Sequence, residues 1–303
     1  MLRRQLRQLQ INKMPMKSVQ QIMLGTVCTN EKTALETLRR IKGAGYDAIE
    51  LNSFMTHPTP VLVRLLTKVA GMPTGACGKL DWRALLKEVS LAVSAYHTDL
   101  GSLEREPEAV IKEAKCYGTD RIVITGMYRF DYGSAQAVVS LAKRLNTVGQ
   151  KLKESGMRLF YHNHNAELLH TSTYTKNGTS QDECSYSLLL RETDPELVFF
   201  EFDSYWFADC GASPLFWMQT LGPRMKLWHI ADRGSRLTKT PMTPIIKSDS
   251  VELGTGNLPL VQLKEQALKN GVECVVLESH RNWIDKDPVK SLEISAKWLK
   301  ENL

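Results

Sequence analysis

From Ile22 onward the chain alternates short apolar runs with amphipathic stretches, and eight such runs can be counted. Strands and helices that alternate in this way build a parallel sheet covered by its own crossover helices. The predicted strands are Ile22–Cys28, Ala48–Asn52, Leu91–His97, Arg121–Thr125, Arg158–His162, Val198–Asp203, Lys226–Ile230 and Cys274–Glu278. Eight strands fit a closed ring better than an open sheet, so the expected fold is α/β, a single-domain (β/α)8 TIM barrel. Helices are predicted at Thr33–Ala44, about Pro60–Ala70 with a further piece at Asp81–Glu88, Pro107–Tyr117, Ser134–Ser155, Tyr186–Arg191, Ser213–Leu221, Leu258–Lys269 and Pro288–Leu303. Gly43, Gly45, Gly118, Gly156 and Gly271 supply stop signals, since glycine enters a left-handed C-cap without steric penalty. Leu168–Glu183 and Arg233–Ser250 follow strands as long polar loops suited to binding or closure at a barrel rim.

At 303 residues the chain is long for one domain but ordinary for such a barrel. No run approaches the roughly 18 consecutive apolar residues of a membrane span, and a soluble, cytoplasmic protein is expected. The net charge of +6 is concentrated in residues 1–20, which hold Arg3, Arg4, Arg7, Lys13 and Lys17 and no acid. Those residues read as a basic, flexible N-terminal extension, with the barrel over residues 21–303. The remainder, near neutrality, lacks the basic footprint of a nucleic-acid binder. Six cysteines without a C-x-x-C pair support neither a zinc knuckle nor a disulfide framework.

The chemistry is concentrated at strand ends. Tyr161-His162-Asn163-His164-Asn165-Ala166-Glu167 closes the fifth strand, and side chains two apart in a strand share a face, so His162 and His164 project together. Later strands end in Asp203, His229 and Glu278. In a parallel barrel all C-terminal strand ends meet at one face, so donors distant in sequence converge there. Carboxylates with imidazole favour Mn2+, Mg2+, Co2+ or Zn2+. Taken singly, Asp203 is equally a helix N-cap and His229 a core histidine; Glu278 closes an apolar strand and needs a partner when buried. His162 and Glu167 compete for the fourth position. Three carboxylates with one imidazole match a manganese-type preference, which favours Glu167 and leaves His162 and His164 as proton carriers, with Glu278 a second acid/base candidate. His97, His57, Trp206 and Arg233 are candidate substrate contacts. Gly254-Thr255-Gly256 lacks the strand context of a nucleotide-binding loop.

These residues carry a resemblance. Tyr161-His162-Asn163-His164-x-x-Glu167, Thr193-Asp194-Pro195-Glu196-Leu197-Val198 leading into Glu201-Phe202-Asp203-Ser204-Tyr205-Trp206, His229-Ile230-Ala231-Asp232, Glu252-Leu253-Gly254-Thr255-Gly256 and Val276-Leu277-Glu278 resemble the xylose-isomerase-like TIM-barrel superfamily, the sugar phosphate isomerase/epimerase group. The resemblance implies a metal set of two glutamates, an aspartate and a histidine, carried here by Asp203, His229 and Glu278, with a histidine at the strand end where many relatives have the first glutamate. The Y-H-N-H pattern is similar to inosose dehydratases, 3-keto-sugar lyases and the large subunit of C-glycoside deglycosidases. It therefore implies a divalent-metal-dependent isomerase or epimerase of a sugar or keto-sugar acting through a metal-stabilised enediolate. The alternatives are a lyase or deglycosidase of a 3-keto-glycoside, and an inert barrel kept as a binding or assembly subunit. The expected partners are a small sugar or glycoside and either further copies of the chain or a small second subunit, with no nucleic acid and no membrane.

Overall fold

The computed structural model describes residues 14–58, 65, 77–172, 174–176, 179–181, 183–237, 240 and 242–303. Eight strands form the barrel: β1 (Met16–Gln20), β2 (Ala48–Asn52), β3 (Ala92–Thr98), β4 (Arg121–Thr125), β5 (Arg158–His162), β6 (Val198–Asp203), β7 (Met225–Ile230) and β8 (Cys274–Leu277). Every neighbouring pair is parallel, and β1 pairs with β8 through Met16 opposite Cys274 and Val19 opposite Leu277, which closes the ring. The expected (β/α)8 architecture is therefore observed.

Seven of the expected strands fall on or within one residue of their predicted bounds, and the first is corrected. The run Ile22–Cys28 is not a strand; Gln21–Leu24 is a 3-10 turn at the strand's exit, and β1 is Met16–Gln20. Apolar content misled here because β1 alternates: Val19 packs outward under the helices, while Ser18 and Gln20 belong to the face that bonds Ser94 and Glu50. Residues 16–20, assigned to the extension by charge alone, thus belong to the barrel.

Helices jacket the sheet as expected, among them Glu31–Ala44, Pro107–Cys116, Ala135–Glu154, Leu260–Asn270 and Pro288–Asn302. Asn30, Ser134 and Asp287 cap three of them by accepting backbone N–H bonds, and Gly45 and Gly271 end two in the left-handed conformation. The helix expected at Pro60–Ala70 lies outside the described residues, Leu65 excepted. Each rim loop contains a short antiparallel hairpin, Tyr174–Lys176 with Thr179–Gln181 and Asp232–Gly234 with Asp249–Val251. The Gly254-Thr255-Gly256 loop wraps Asp232, whose carboxylate accepts from the N–H groups of Gly254, Gly256 and Leu258 at 2.9–3.1 Å. A Cβ at Gly256 would stand 2.4 Å from Asp232 Oδ1, so the glycine serves this close approach.

Strand parity creates two cores. The larger lies between sheet and helices. The smaller fills the barrel's lower interior with Ala95, Val123, Phe160, Leu227, Cys274 and Val276. Two residues further along five of these strands stand His97, Thr125, His162, His229 and Glu278. Since a strand repeats its face every second residue, an apolar plug is followed by a polar storey above it.

Candidate functional site

That polar storey is built from almost every strand. β2 contributes Glu50, β3 His97, β5 His162, β6 both Glu201 and Asp203, β7 His229, and Glu278 follows β8. All but the partly exposed Glu278 are buried, the two lower glutamates completely. They form two overlapping donor sets whose ligand atoms lie within 4.8 Å of one another: His162, Asp203, His229 and Glu278 above, and Glu50, His97, Glu201 and His229 below.

Asp203 and Glu278 of the upper set line a cleft of about 130 Å³, together with His164, Trp206 and His280 among others. Asp203 serves two functions at once. Its Oδ1 caps the following helix by accepting from Tyr205 N at 2.8 Å and Trp206 N at 3.1 Å, which leaves Oδ2 for the site. Burial pushes its carboxyl up to about 8. Glu278 reaches His229 Nδ1 at 2.8 Å; burial opposes its ionisation, but the His280 and His229 imidazoles hold it well below the usual carboxylate range. His164 stands beside His162, with ring centroids 5.2 Å apart, and burial keeps it neutral with a value lowered to about 3. Burial likewise lowers His162.

The lower set is an ion lattice. His229 Nε2 lies 2.6 Å from Glu50 Oε2, and His97 Nε2 lies 3.0 Å from both Glu50 Oε2 and Glu201 Oε2. His162 Nδ1 lies 3.2 Å from Glu201 Oε2. Burial disfavours charge on His97, yet Glu50 and Glu201 outweigh it and hold the imidazole at about 10. His229 is raised in the same way, against burial, by Glu201, Glu50 and Glu278.

Several of the expected site residues are placed elsewhere. Glu167 is not in either donor set. It follows β5 in a 3-10 turn, where its carboxylate accepts from the outward-facing Tyr161 Oη at 2.8 Å and from His164 N at 3.1 Å. A Cβ on Gly126 would meet it at 2.5 Å, so it is locked into the loop outside the barrel, and His162 takes the place proposed for it. His97 lies beneath the cleft among the lower carboxylates rather than on its wall. His57 has a side chain 61% exposed and pairs with Glu113 at 2.8 Å. Arg233 pairs with Asp209 at 3.0 Å. Trp206 does line the cleft, between His164 and His280 at ring distances of 5.8 and 5.7 Å.

Sequence reasoning noted Glu50 and Glu201 within their strands but gave neither a role, although parity held the signal: Glu201 shares a strand face with Asp203, and Glu50 with Asn52. Gln20, hidden by the misplaced first strand, donates to Glu50 Oε2 at 3.0 Å. His280, two residues beyond Glu278, was also passed over.

A closed parallel eight-strand barrel with donors at its C-terminal strand ends is one observation; a match by sequence is another. The family model described as xylose isomerase-like TIM barrel matches residues 38–302. The chain belongs to that family. Among solved structures, a sugar phosphate isomerase/epimerase from Parabacteroides distasonis is 19% identical with a TM-score of 0.71, covering 95% of both chains. A probable 3-DHS dehydratase from Bacillus anthracis is 15% identical, TM-score 0.61, over 95% of this chain and 99% of the other. An L-ribulose 3-epimerase is 13% identical, TM-score 0.62, over 96% and 95%. At these identities the likeness extends to the fold. No curated protein matches the chain. Among the described residues no helix is long and apolar enough to cross a membrane.

The upper donors suit a divalent cation. Two carboxylates and two imidazoles are a hard-to-borderline set, and they sit where a cleft gives access. Beneath them Glu50 Oε1 and both oxygens of Glu201 are buried without an aligned hydrogen bond. Buried anionic oxygens left in this state need compensating positive charge close by.

Proposed function

We propose that the protein is a divalent-metal-dependent isomerase or epimerase acting on a sugar or keto-sugar. The observation that carries this reading is the convergence of His162, Asp203, His229 and Glu278, from four separate strand ends, within 4.8 Å at the edge of the cleft. Family membership and the likeness to epimerase structures support it. Mn2+ suits the carboxylates, and the two imidazoles admit Co2+ or Zn2+ as readily, with Mg2+ least favoured.

A cation held there would polarise a substrate carbonyl and neutralise the charge that develops as the neighbouring C–H is deprotonated to an enediolate. The chain's own residues do the rest. His164, neutral and facing the cleft, can accept the proton from that carbon. The Glu278 carboxylate is the second group able to hold or return it. Return to the opposite face gives epimerisation, and return to the adjacent carbon gives isomerisation. Trp206 offers a flat apolar wall for the sugar's C–H face, and its position between His164 and His280 fixes which edge of the ring meets the base.

The same geometry serves elimination from a 3-keto-sugar or glycoside, and the dehydratase among the structural neighbours favours keeping that branch as the second reading. Proton exchange in deuterated water separates the branches. Deuterium in a recovered isomer marks isomerisation, whereas departure of a β-substituent marks lyase chemistry, and an inert barrel gives neither. Exhaustive chelation is expected to abolish turnover, with Mn2+ or Co2+ restoring it. Activity that survives chelation sinks the reading.

A further inference from the structure

We propose that Glu50 is a positioning residue that aims the His229 imidazole toward Asp203 and Glu278, with Glu201 and His97 completing the charged layer beneath the upper donor set. The assignment rests on the metal-dependent reading above and adds residues that hold, rather than form, the site.

The argument begins with ring geometry. An imidazole has two nitrogens on opposite edges, so fixing one edge aims the other. His229 Nε2 faces Glu50 Oε2 at 2.6 Å, and His162 Nδ1 faces Glu201 Oε2 at 3.2 Å. At 2.6 Å a nitrogen and a carboxylate oxygen must share a proton, and only the imidazole can supply it to an ionised acid. His229 is thereby committed to presenting Nδ1, the nitrogen found beside Glu278 at 2.8 Å. His162 Nδ1 stands 3.2 Å from Glu201 Oε2 without an aligned hydrogen bond, so Glu201 acts on that ring by its charge and not by selecting a ring atom. Glu50 on β2 thus selects the ring atom that His229 presents, while Glu201 on β6 places a second carboxylate beside His162.

The carboxylates are themselves held. Glu50 Oε2 also accepts from Gln20 Nε2 at 3.0 Å. His97 Nε2 stands 3.0 Å from both acids, and His97 Nδ1 meets Thr125 Oγ1 at 3.1 Å, which fixes the cross-link from below. All three side chains are at least nine-tenths buried and sit between the apolar plug and the upper donors. Two negative charges one imidazole away from a cation also strengthen the ligand nitrogens electrostatically. Outer carboxylates of this kind typically change metal affinity by roughly 10–100-fold when removed.

The lower set could instead be a cation site in its own right, and the test separates the two. Zn2+ binding to the full-length protein is measured by calorimetry with elemental analysis, for wild type, Glu50→Gln, Glu50→Leu and Glu201→Gln. The expected result is one tight zinc per wild-type chain and an affinity loss of about 10–100-fold in each variant, larger for Glu50→Leu than for Glu50→Gln, which keeps an acceptor. Long-range 1H–15N spectra of the zinc-loaded wild type give a second readout, independent of any variant's folding. Protonated Nε2 on His229 supports the assignment, and the reverse tautomer overturns it. Unchanged affinity in folded variants overturns this assignment alone. Two zinc ions per chain, one of them lost in Glu201→Gln, overturn it in favour of a second site. A wild-type protein that binds no zinc removes both this assignment and the function it rests on.

Discussion

The two ends of the barrel handle buried charge in opposite ways. At the N-terminal end Glu273, just before β8, reaches across the floor to Arg121 and Arg158 at the starts of β4 and β5. Its two oxygens accept four guanidinium bonds of 2.8–3.3 Å, and Asp120 takes the remaining reach of Arg158 at 3.0 Å. Charges there are balanced and half-exposed. At the C-terminal end four carboxylates (Glu50, Glu201, Asp203 and Glu278) face three imidazoles (His97, His162 and His229) with almost no solvent, and carboxylate oxygens stand without aligned donors. The lesson is one of purpose. The floor satisfies itself and stabilises the fold, while the mouth leaves carboxylate oxygens without aligned donors, an arrangement that could hold a cation.

Four experiments sharpen or break that contrast. The largest effect is expected from Glu278→Gln, which should lower turnover on the order of 10³-fold, as for loss of a positioned acid/base group. The melting temperature of its metal-free form should fall modestly near neutral pH, since the His280 and His229 imidazoles favour the ionised carboxylate that is lost. A drop as large as that of a floor variant would show that the mouth, too, is built for stability. Next, Glu273→Ala should destabilise the fold by about 2 kcal/mol, less than the ~3–5 kcal/mol of a fully buried pair because water reaches this cluster. Denaturant titration checks it, and turnover per folded molecule should not move.

Acidity gives the third test, with opposite signs at the two ends. Although burial opposes ionisation, bonds from Arg158 and Arg121 hold the Glu273 carboxyl at about 2. Its folded value is depressed, so its contribution is full above the ordinary glutamate range and disappears as pH falls toward 2. Asp203 is raised by burial to about 8. In metal-free protein its contribution is full below the ordinary aspartate range and disappears as pH rises toward 8. Thermal melts across pH should therefore show an acid-side loss abolished by Glu273→Gln and a separate alkaline-side loss abolished by Asp203→Asn. The same side of the curve responding to both variants would erase the distinction. The smallest effect is expected of Trp206→Ala, which should raise KM several-fold, on the scale of one aromatic contact of about 1 kcal/mol, with kcat nearly unchanged. Steady-state kinetics on a turned-over sugar decide it.

Much of this was legible before any coordinates. Seven barrel strands follow from apolar runs and turn signals, because a strand buried on both faces is a continuous hydrophobic segment. β1 escaped because Ser18 and Gln20 face inward and interrupt its apolar run, while the 3-10 turn after it is more hydrophobic than the strand. Asp203, His229 and Glu278 were visible as polar ends to apolar runs. Glu50 and Glu201 were visible only as polar residues within them, and nothing local says whether an inward glutamate meets a histidine or a void. Glu167 shows the converse: spacing put it near the site, and a tyrosine on the outer face captured it.

Local pattern settled seven strands of the ring and three of the donors at their ends, Asp203, His229 and Glu278, since periodicity and residue chemistry are written along the chain. Which donors touch is a different matter. Closure of the barrel brings Glu50 to His229 across 179 positions of chain, and it leaves His162 beside Asp203 and Glu278 while Glu167 bonds Tyr161. Those contacts depend on stagger between strands and on rotamers fixed by packing, which no single segment specifies.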